Sequence, residues 1–326
     1  MNQDDWRAMA WRTRVFARAM KLVEKGIENV TDLPAHRAKR AKLQTSFVGR
    51  RVFGTADKSV TTEEIEINGR RAVVHRPAER ANAARPTGVS GALPVVVNYH
   101  GGGWAQGNPE QSVWVASRVA ARAGAVVVSP VYRLAPEHRY PAAADDAWTT
   151  LTWVVEHAAD LGVDPDRVAV MGDSAGGNLA AVTAMRARDE GAPNVSAQVL
   201  IYPAVEMYDK YPSEIRLADA PVLTSANMRA FVRLYLGDQY GTESPTASPI
   251  RAESHAGLPP AFILTAQLDP LLDNGIKYRE ALEAAGSPVR YVEYPGAIHG
   301  FISLPGVVPV ARRALDDIVD FLRAHL

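Results

Sequence analysis

Three stretches of this 326-residue chain hold side chains whose types and spacing could do chemistry together. VAVMGDSAGGN, Val168 to Asn178, reads as strand, tight turn and helix, and sets Ser174 in the pattern Gly172-x-Ser174-x-Gly176. A serine on such a turn projects from a sheet edge at the positive end of a helix, and the small residues two before and two after it let the turn close. A hydroxyl becomes a nucleophile only beside a base, and the base needs an orienting acid. In this topology the chain order is serine, acid, histidine. Three histidines lie downstream of Ser174. His255 sits ahead of a strand and His325 is the penultimate residue, on the solvent side of a terminal helix by its pattern. His299 directly follows the last strand, in YPGAIHGF, and is read as the base. For the acid, AFILTAQLDPLLDNG offers two carboxylates. Asp269 falls just past a strand end with Pro270 fixing the backbone, and is assigned as the orienting acid. Asp273 opens a helical pattern as an N-cap or first-turn carboxylate and stays the alternative.

A fourth stretch, NYHGGGWAQG from Asn98 to Gly107, has three consecutive glycines after an apolar run. Acyl transfer needs backbone N–H donors for a developing alkoxide, one from the residue after the serine and others from the loop after the third strand. His100-Gly101-Gly102-Gly103 lies in that loop. The flanking buried-type strand and Trp104 speak against a flexible linker, so the glycines are read as permitting close backbone approach.

These groups need a scaffold that brings several strand ends to one edge. Short Val- and Ile-rich runs supply it at Pro94–Tyr99, Ala125–Tyr132, Arg167–Gly172, Ala197–Tyr202, Ala261–Ala266 and Val289–Tyr294. Continuous hydrophobicity implies parallel strands covered on both faces. Helical patterns alternate with them at Gln111–Ala123, Ala142–Ala159, Ala175–Glu190, Asp273–Ala285 and Val310–Ala324, which predicts an open α/β sheet. Ahead of these, Val60–Ile67 and Arg70–Arg76 form a hairpin at Asn68-Gly69. Pro77 to Pro94 is a loop by composition. The long connection from Tyr202 to Ala261, with a helix at Thr224–Leu236, and the helical spacing of the N-terminal 45 or so residues suggest a lid or cap. HRAKRAK, His36 to Lys42, is read as a solvated helix face.

Lys plus Arg equals Asp plus Glu at 36 each, so the whole chain has no net field to attract nucleic acid or an anionic membrane. No cysteine is present, which removes disulfides and thiolate chemistry. The N-terminus has no apolar signal-peptide core, and no apolar run is long enough to span a bilayer. A cytoplasmic protein is expected, acting on a small molecule, with neither nucleic acid nor membrane insertion. No metal-ligand or dinucleotide spacing stands out, and no cofactor is expected.

HGGGW, YRLAPEHRYPAAADD, GDSAGGN, DPLLD and HGF, in that order, resemble the bacterial hormone-sensitive-lipase-like esterases of the α/β-hydrolase superfamily. The resemblance runs from about Pro94 to the C-terminus. It implies an eight-stranded, mostly parallel sheet with helices on both faces and a helical cap. It also implies a serine carboxylesterase acting on short- to medium-chain esters. It puts the triad on Ser174, Asp269 and His299, and the oxyanion donors on the amides of Gly102, Gly103 and Ala175. Gly101 then shapes the loop, His100 orients it, and Arg133 and Glu137 brace loops below the site. The expected division is a cap segment over residues 1–50, a catalytic part over 51–203, a cap insertion over 204–245 and a second catalytic part over 246–326. Trp104, Tyr202, Met207 and Phe231 are candidate pocket walls. An amidase or deacetylase, or a non-catalytic ligand-binding homologue, shares the same frame. The last strand is a candidate edge for a homodimer.

Overall fold

The computed structural model describes residues 1–23, 26–78 and 91–326. Part of the loop expected between Pro77 and Pro94 lies outside these residues. The described strands form one eight-stranded sheet in the order β1-β2-β4-β3-β5-β6-β7-β8. They are β1 (Val60–Ile67), β2 (Arg70–Pro77), β3 (Leu93–Tyr99), β4 (Val126–Pro130), β5 (Val163–Asp173), β6 (Ala197–Ile201), β7 (Ala261–Leu268) and β8 (Val289–Ile298). β2 pairs antiparallel with both β1 and β4, and every later pairing is parallel.

The valine runs explain the layering. Along β3, Val95 and Val97 point into one core with Val126, Val168 and Leu200, while Val96 points into the other with Val127, Ala169 and Val199. Because successive side chains alternate faces, a strand apolar at every position needs helices on both sides. α6 (Ala142–Glu156), α8 (Ala175–Glu190) and α11 (Leu272–Ala284) cover the first face, and α5 (Val113–Val119) and α12 (Val310–His325) the second.

Several elements differ from the sequence expectation. The helix expected over Gln111–Ala123 is a 3₁₀ turn, α5 and a π-helical turn over Ala120–Gly124. β8 continues past Tyr294 to Ile298, because the Gln267 side chain accepts the Gly296 amide at 2.9 Å where the ladder is interrupted. His325 is half-buried against Phe321 rather than solvent-facing. The N-terminal stretch is four helices, α1 (Gln3–Ala8), α2 (Trp11–Val23), α3 (Leu33–Thr45) and α4 (Phe47–Phe53). Asn2, Asp32 and Ser46 cap α1, α3 and α4 through side-chain oxygens. The division expected at residue 50 falls inside α4.

The HRAKRAK stretch on α3 is not simply a solvated face. Arg37 reaches Glu137 with two bonds of 2.9 and 2.8 Å, and also donates to the carbonyls of Ala105 at 2.7 Å and Ala135 at 2.6 Å. Its neighbours His36 and Arg40 line the central cavity.

The connection after β6 carries α9 (Pro212–Arg216) and α10 (Ser225–Leu236). Arg229 of α10 donates two hydrogen bonds, from Nε and Nη2, to the two oxygens of the Glu214 carboxylate of α9, and donates to the Met207 and Asp209 carbonyls at 3.1 and 3.0 Å. Both charged groups are buried. Removing one partner of such a pair strands the other charge without water. Arg229→Met is therefore expected to lower unfolding free energy by about 3–5 kcal/mol. Denaturant titration checks it, and a change below about 1 kcal/mol would show that Glu214 finds another partner.

Candidate active site

Four strand ends converge. β5 delivers Ser174, β7 Asp269, β8 His299 and β3 the His100–Gly103 loop. Ser174 sits at φ 57° and ψ −117°, a backbone conformation L-residues avoid, as N-cap of α8. Its amide donates to the Ile201 carbonyl at 2.8 Å, which pins the turn to β6. The two flanking glycines leave no room for a side chain. A Cβ on Gly172 would lie 2.1 Å from the Gly176 carbonyl, and one on Gly176 would lie 1.9 Å from that of Tyr99.

The Ser174 hydroxyl lies 3.0 Å from His299 Nε2, and His299 Nδ1 lies 2.6 Å from Asp269 Oδ2. Asp269 is fully buried, and its Oδ1 accepts the Leu271 amide at 2.9 Å. Asp273 is excluded from this chain of bonds. It stands in the first turn of α11 and accepts the Ser213 amide at 2.8 Å, while its own amide donates to Ser213 Oγ at 3.1 Å. It is therefore a first-turn carboxylate that holds α9 to the Asp269–Pro270 turn, since Ser213 Oγ also donates to the Pro270 carbonyl at 2.7 Å. His255 lies elsewhere, bonded to the Pro249 carbonyl and edge-on to Tyr278.

Gly102 and Gly103 face the cavity beside Ser174. Among the described residues, the amides of Gly102, Gly103 and Ala175 donate no turn, loop or cap hydrogen bond. The glycine triplet is required by more than an approaching ligand. A Cβ at Gly101 would meet the Asp173 carboxylate at 2.5 Å, at Gly102 the Gln106 carbonyl at 2.1 Å, and at Gly103 the Phe231 ring at 2.3 Å. Gly102 and Gly103 also take positive φ of 123° and 60°. His100 lies 4.2 Å centroid to centroid from Tyr132, stacked, with Nδ1 2.8 Å from the Gly101 carbonyl. Burial holds the imidazole down to about 4, so it is neutral near pH 7 and donates from Nδ1. Arg133 clasps Asp146 with both Nε and Nη2, and Glu137 binds Arg37.

The cavity above Ser174 has a volume of about 390 Å³ and is bounded by α2, α3, α4 and α10 as well as by the strand ends. Trp104, Met207 and Phe231 line it. Tyr202 instead lies beneath the site, its ring centroid 4.9 Å from that of His299. Among the described residues no cluster of three His, Cys, Asp or Glu side chains could hold a metal ion, and no helix is long and apolar enough to cross a membrane.

Sequence reasoning passed over Asp173, the variable residue inside the G-x-S-x-G pattern. It is buried, and its Oδ1 accepts the Gly101 amide at 2.8 Å, tying the serine turn to the glycine loop. A charged residue directly before the serine in an otherwise apolar strand end is the one sequence signal that could have marked it. Burial pushes its carboxyl up to about 6, against the pull of the Gly101 amide, His299 and the Tyr202 hydroxyl.

A family model described as the alpha/beta hydrolase fold matches residues 96–303. The chain belongs to that family, in its hormone-sensitive-lipase-like branch, and is a carboxylic ester hydrolase. It is 47% identical to Esterase LipI of Mycobacterium tuberculosis over 235 residues, covering 72% of this chain and 73% of that one. Carboxylesterase NlhH of the same species is 47% identical over 232 residues, covering 70% and 73%. Among solved structures, the hyperthermophilic esterase of the archaeon Pyrobaculum calidifontis superposes with TM-score 0.82 at 37% identity, covering 95% and 97%. A thermostable esterase of Pseudomonas putida does so with TM-score 0.86 at 33% identity, covering 98% of each chain.

The raised Asp173 carboxyl has a thermodynamic sign. The folded protein holds this proton up to about pH 6, whereas the unfolded chain releases it near 3.8. The associated stability is full below about pH 4, falls as pH rises through about 6, and is level above. Asp173→Asn keeps an Oδ1 acceptor for Gly101 but does not titrate. The unfolding free energy of wild type minus that of Asp173→Asn is expected to fall by about 2 kcal/mol between about pH 4 and pH 6.5. A pH-independent difference would rule out a buried, titrating Asp173.

Proposed function

We propose that this ester hydrolase is a serine carboxylesterase working through an acyl-enzyme, with Ser174 as nucleophile, His299 as base and acid, and Asp269 as orienting acid. The observation that carries the reading is the unbroken path Ser174 Oγ, His299 Nε2, His299 Nδ1, Asp269 Oδ2, with links of 3.0 and 2.6 Å, on the cavity floor. His299 Nε2 takes the hydroxyl proton as Ser174 Oγ attacks the ester carbonyl carbon. Buried Asp269 holds the ring with Nδ1–H toward it and favours the imidazolium that forms. The tetrahedral oxyanion lies on the amides of Gly102, Gly103 and Ala175, with Gly101 and His100 shaping the loop. His299 then gives its proton to the leaving alkoxide oxygen, and the ester C–O bond breaks. Water enters, is deprotonated by His299 and attacks the acyl carbon, and Ser174 leaves with the proton restored.

Residues 1–50 and 204–245 act as the cap over a hydrolase core of 51–203 and 246–326. Both cap parts supply walls, Met20 and Val48 from one and Met207 and Phe231 from the other. A cavity of about 390 Å³ suits esters with short- to medium-chain acyl groups. The cytoplasm is the compartment proposed.

Ser174→Ala is expected to fold normally and to lose about 10⁵- to 10⁶-fold in kcat on p-nitrophenyl esters. In the wild type, kcat/KM should peak at short to medium acyl chains. Retained turnover in a clean Ser174→Ala preparation removes the nucleophile assignment, and faster hydrolysis of the matching anilides would make the enzyme an amidase.

Arg37 bears on the same reaction from the cap. Its acceptor Ala105 closes the glycine loop, through an amide bond to the Gly102 carbonyl at 3.3 Å, and its other acceptor Ala135 donates to the Trp104 carbonyl at 2.8 Å. Arg37→Met is expected to lower kcat roughly 10- to 10²-fold with KM little changed, because a donor displaced by a fraction of an ångström loses most in the transition state. A rise in KM alone would make Arg37 a cap strap without influence on the oxyanion loop.

A further inference from the structure

The chain is neutral as a whole, but its charge is unevenly placed. Residues 1–53 hold twelve Lys and Arg against five Asp and Glu, which leaves 24 against 31 in the remainder. The N-terminal segment thus carries an excess of seven positive charges, balanced by an equal negative excess on the rest of the chain. A neutral total therefore leaves this segment with a local positive field that can attract an anionic membrane.

The same segment holds six of the nine large apolar side chains that stand exposed among the described residues, the others being Tyr208, Ile215 and Tyr240. On α2, Trp11, Val15, Arg18 and Leu22 fall on one stripe, opposite Thr13, Ala17 and Met20, which face inward. Trp11 is 69% exposed, Leu22 87% and, at the start of α4, Phe47 73%. Arg12, Arg18, Lys21, Lys42 and Arg50 are exposed around them, and none forms an ion pair among the described residues. The guanidinium of Arg51 lies 4.4 Å from the Phe47 ring centroid. Leu43 and Val48, themselves 55% and 63% exposed, are also walls of the catalytic cavity, so the cavity opens onto this surface.

We infer that the face formed by α2 and the α3–α4 junction docks on an anionic lipid surface, with Trp11, Leu22 and Phe47 entering the headgroup layer and the surrounding Arg and Lys side chains meeting lipid phosphates. A bilayer supplies both things this face asks for at once, negative charge and a place for aliphatic and aromatic side chains. A nucleic acid offers no use for Leu22 or Val15. An isologous second copy would press two positive faces together. The inference deepens the esterase reading, since docking would set the cavity mouth against lipid-borne esters. Its test reads binding rather than turnover, so an inactive protein that binds and an active one that does not are distinct results.

The experiment is co-sedimentation of the full chain with vesicles of equimolar phosphatidylglycerol and phosphatidylcholine, or of phosphatidylcholine alone. Binding to the anionic vesicles should be at least about tenfold tighter and should be lost near 1 M salt, where the Debye length is about 3 Å. Trp11→Glu combined with Leu22→Glu and Phe47→Glu should reduce it by about tenfold or more while turnover of a soluble p-nitrophenyl ester is unchanged. Leu22→Glu alone repeats the test if the triple variant does not fold. Equal binding to both vesicle types, no binding, or binding that the variants leave intact would each overturn the inference. So would a wild-type dimer that the variants convert to monomer while neither form binds vesicles, which would make the face a subunit contact.

Discussion

The site depends on how closely the turn after β5 approaches the end of β3. Gly176 packs so near Tyr99 that a Cβ would stand 1.9 Å from its carbonyl oxygen, and Gly101 packs against the Asp173 carboxylate in the same way. With both positions reduced to backbone, the serine turn and the glycine loop become neighbours within hydrogen-bond reach. Ser174 is then held at positive φ between two fixed anchors, its amide bond to Ile201 and the start of α8. Strain of this kind persists only where the surroundings over-determine it. Here β6, β3 and α8 do so together.

Asp269 and His299 reach that turn by different routes. Asp269 is placed by the end of β7, and the turn behind it is tied to α9 through Ser213 and Asp273. His299 ends β8, whose last residues regain the ladder only at the Leu268–Ile298 pair. The helices over the cavity are therefore not independent of the strand ends beneath them. α9 grips the turn that carries Asp269, and α3, through Arg37, grips the carbonyls behind the glycine loop. Movement of either part would be felt first as geometry at the reacting atoms.

What the sequence made legible follows the same division between local and long-range causes. Strands with valine at every position identified a sheet covered on both sides, and the spacing of Ser174, Asp269 and His299 at strand ends needed only chain order and the chemistry of activation. The Asn68-Gly69 turn placed the hairpin for an equally local reason, with Asn68 at φ 48° and Gly69 at 77°. Arg37 was not legible, because a charged residue in a basic helical stretch looks solvated until its carbonyl acceptors, far along the chain, are known. The continuation of β8 through Pro295 and Gly296 depends on a Gln267 side chain standing in for a backbone partner. The three glycines were read as space for a ligand, yet Phe231, Gln106 and Asp173 already occupy the volume their side chains would need.

Asp173 shows how such a site holds opposing demands. Burying a carboxylate in an apolar strand end is unfavourable, and the bond from the Gly101 amide, the nearby His299 and a long 3.5 Å contact from the Tyr202 hydroxyl offset it in part. An apolar residue there would relieve the burial but leave the Gly101 amide without the acceptor it has in Asp173 Oδ1. Asp173 thus supplies the bond that ties the glycine loop to the serine turn. The unfavourable burial of this carboxylate is thus coupled to the position of the glycine loop beside Ser174, which its bond to the Gly101 amide fixes whether or not a ligand is bound.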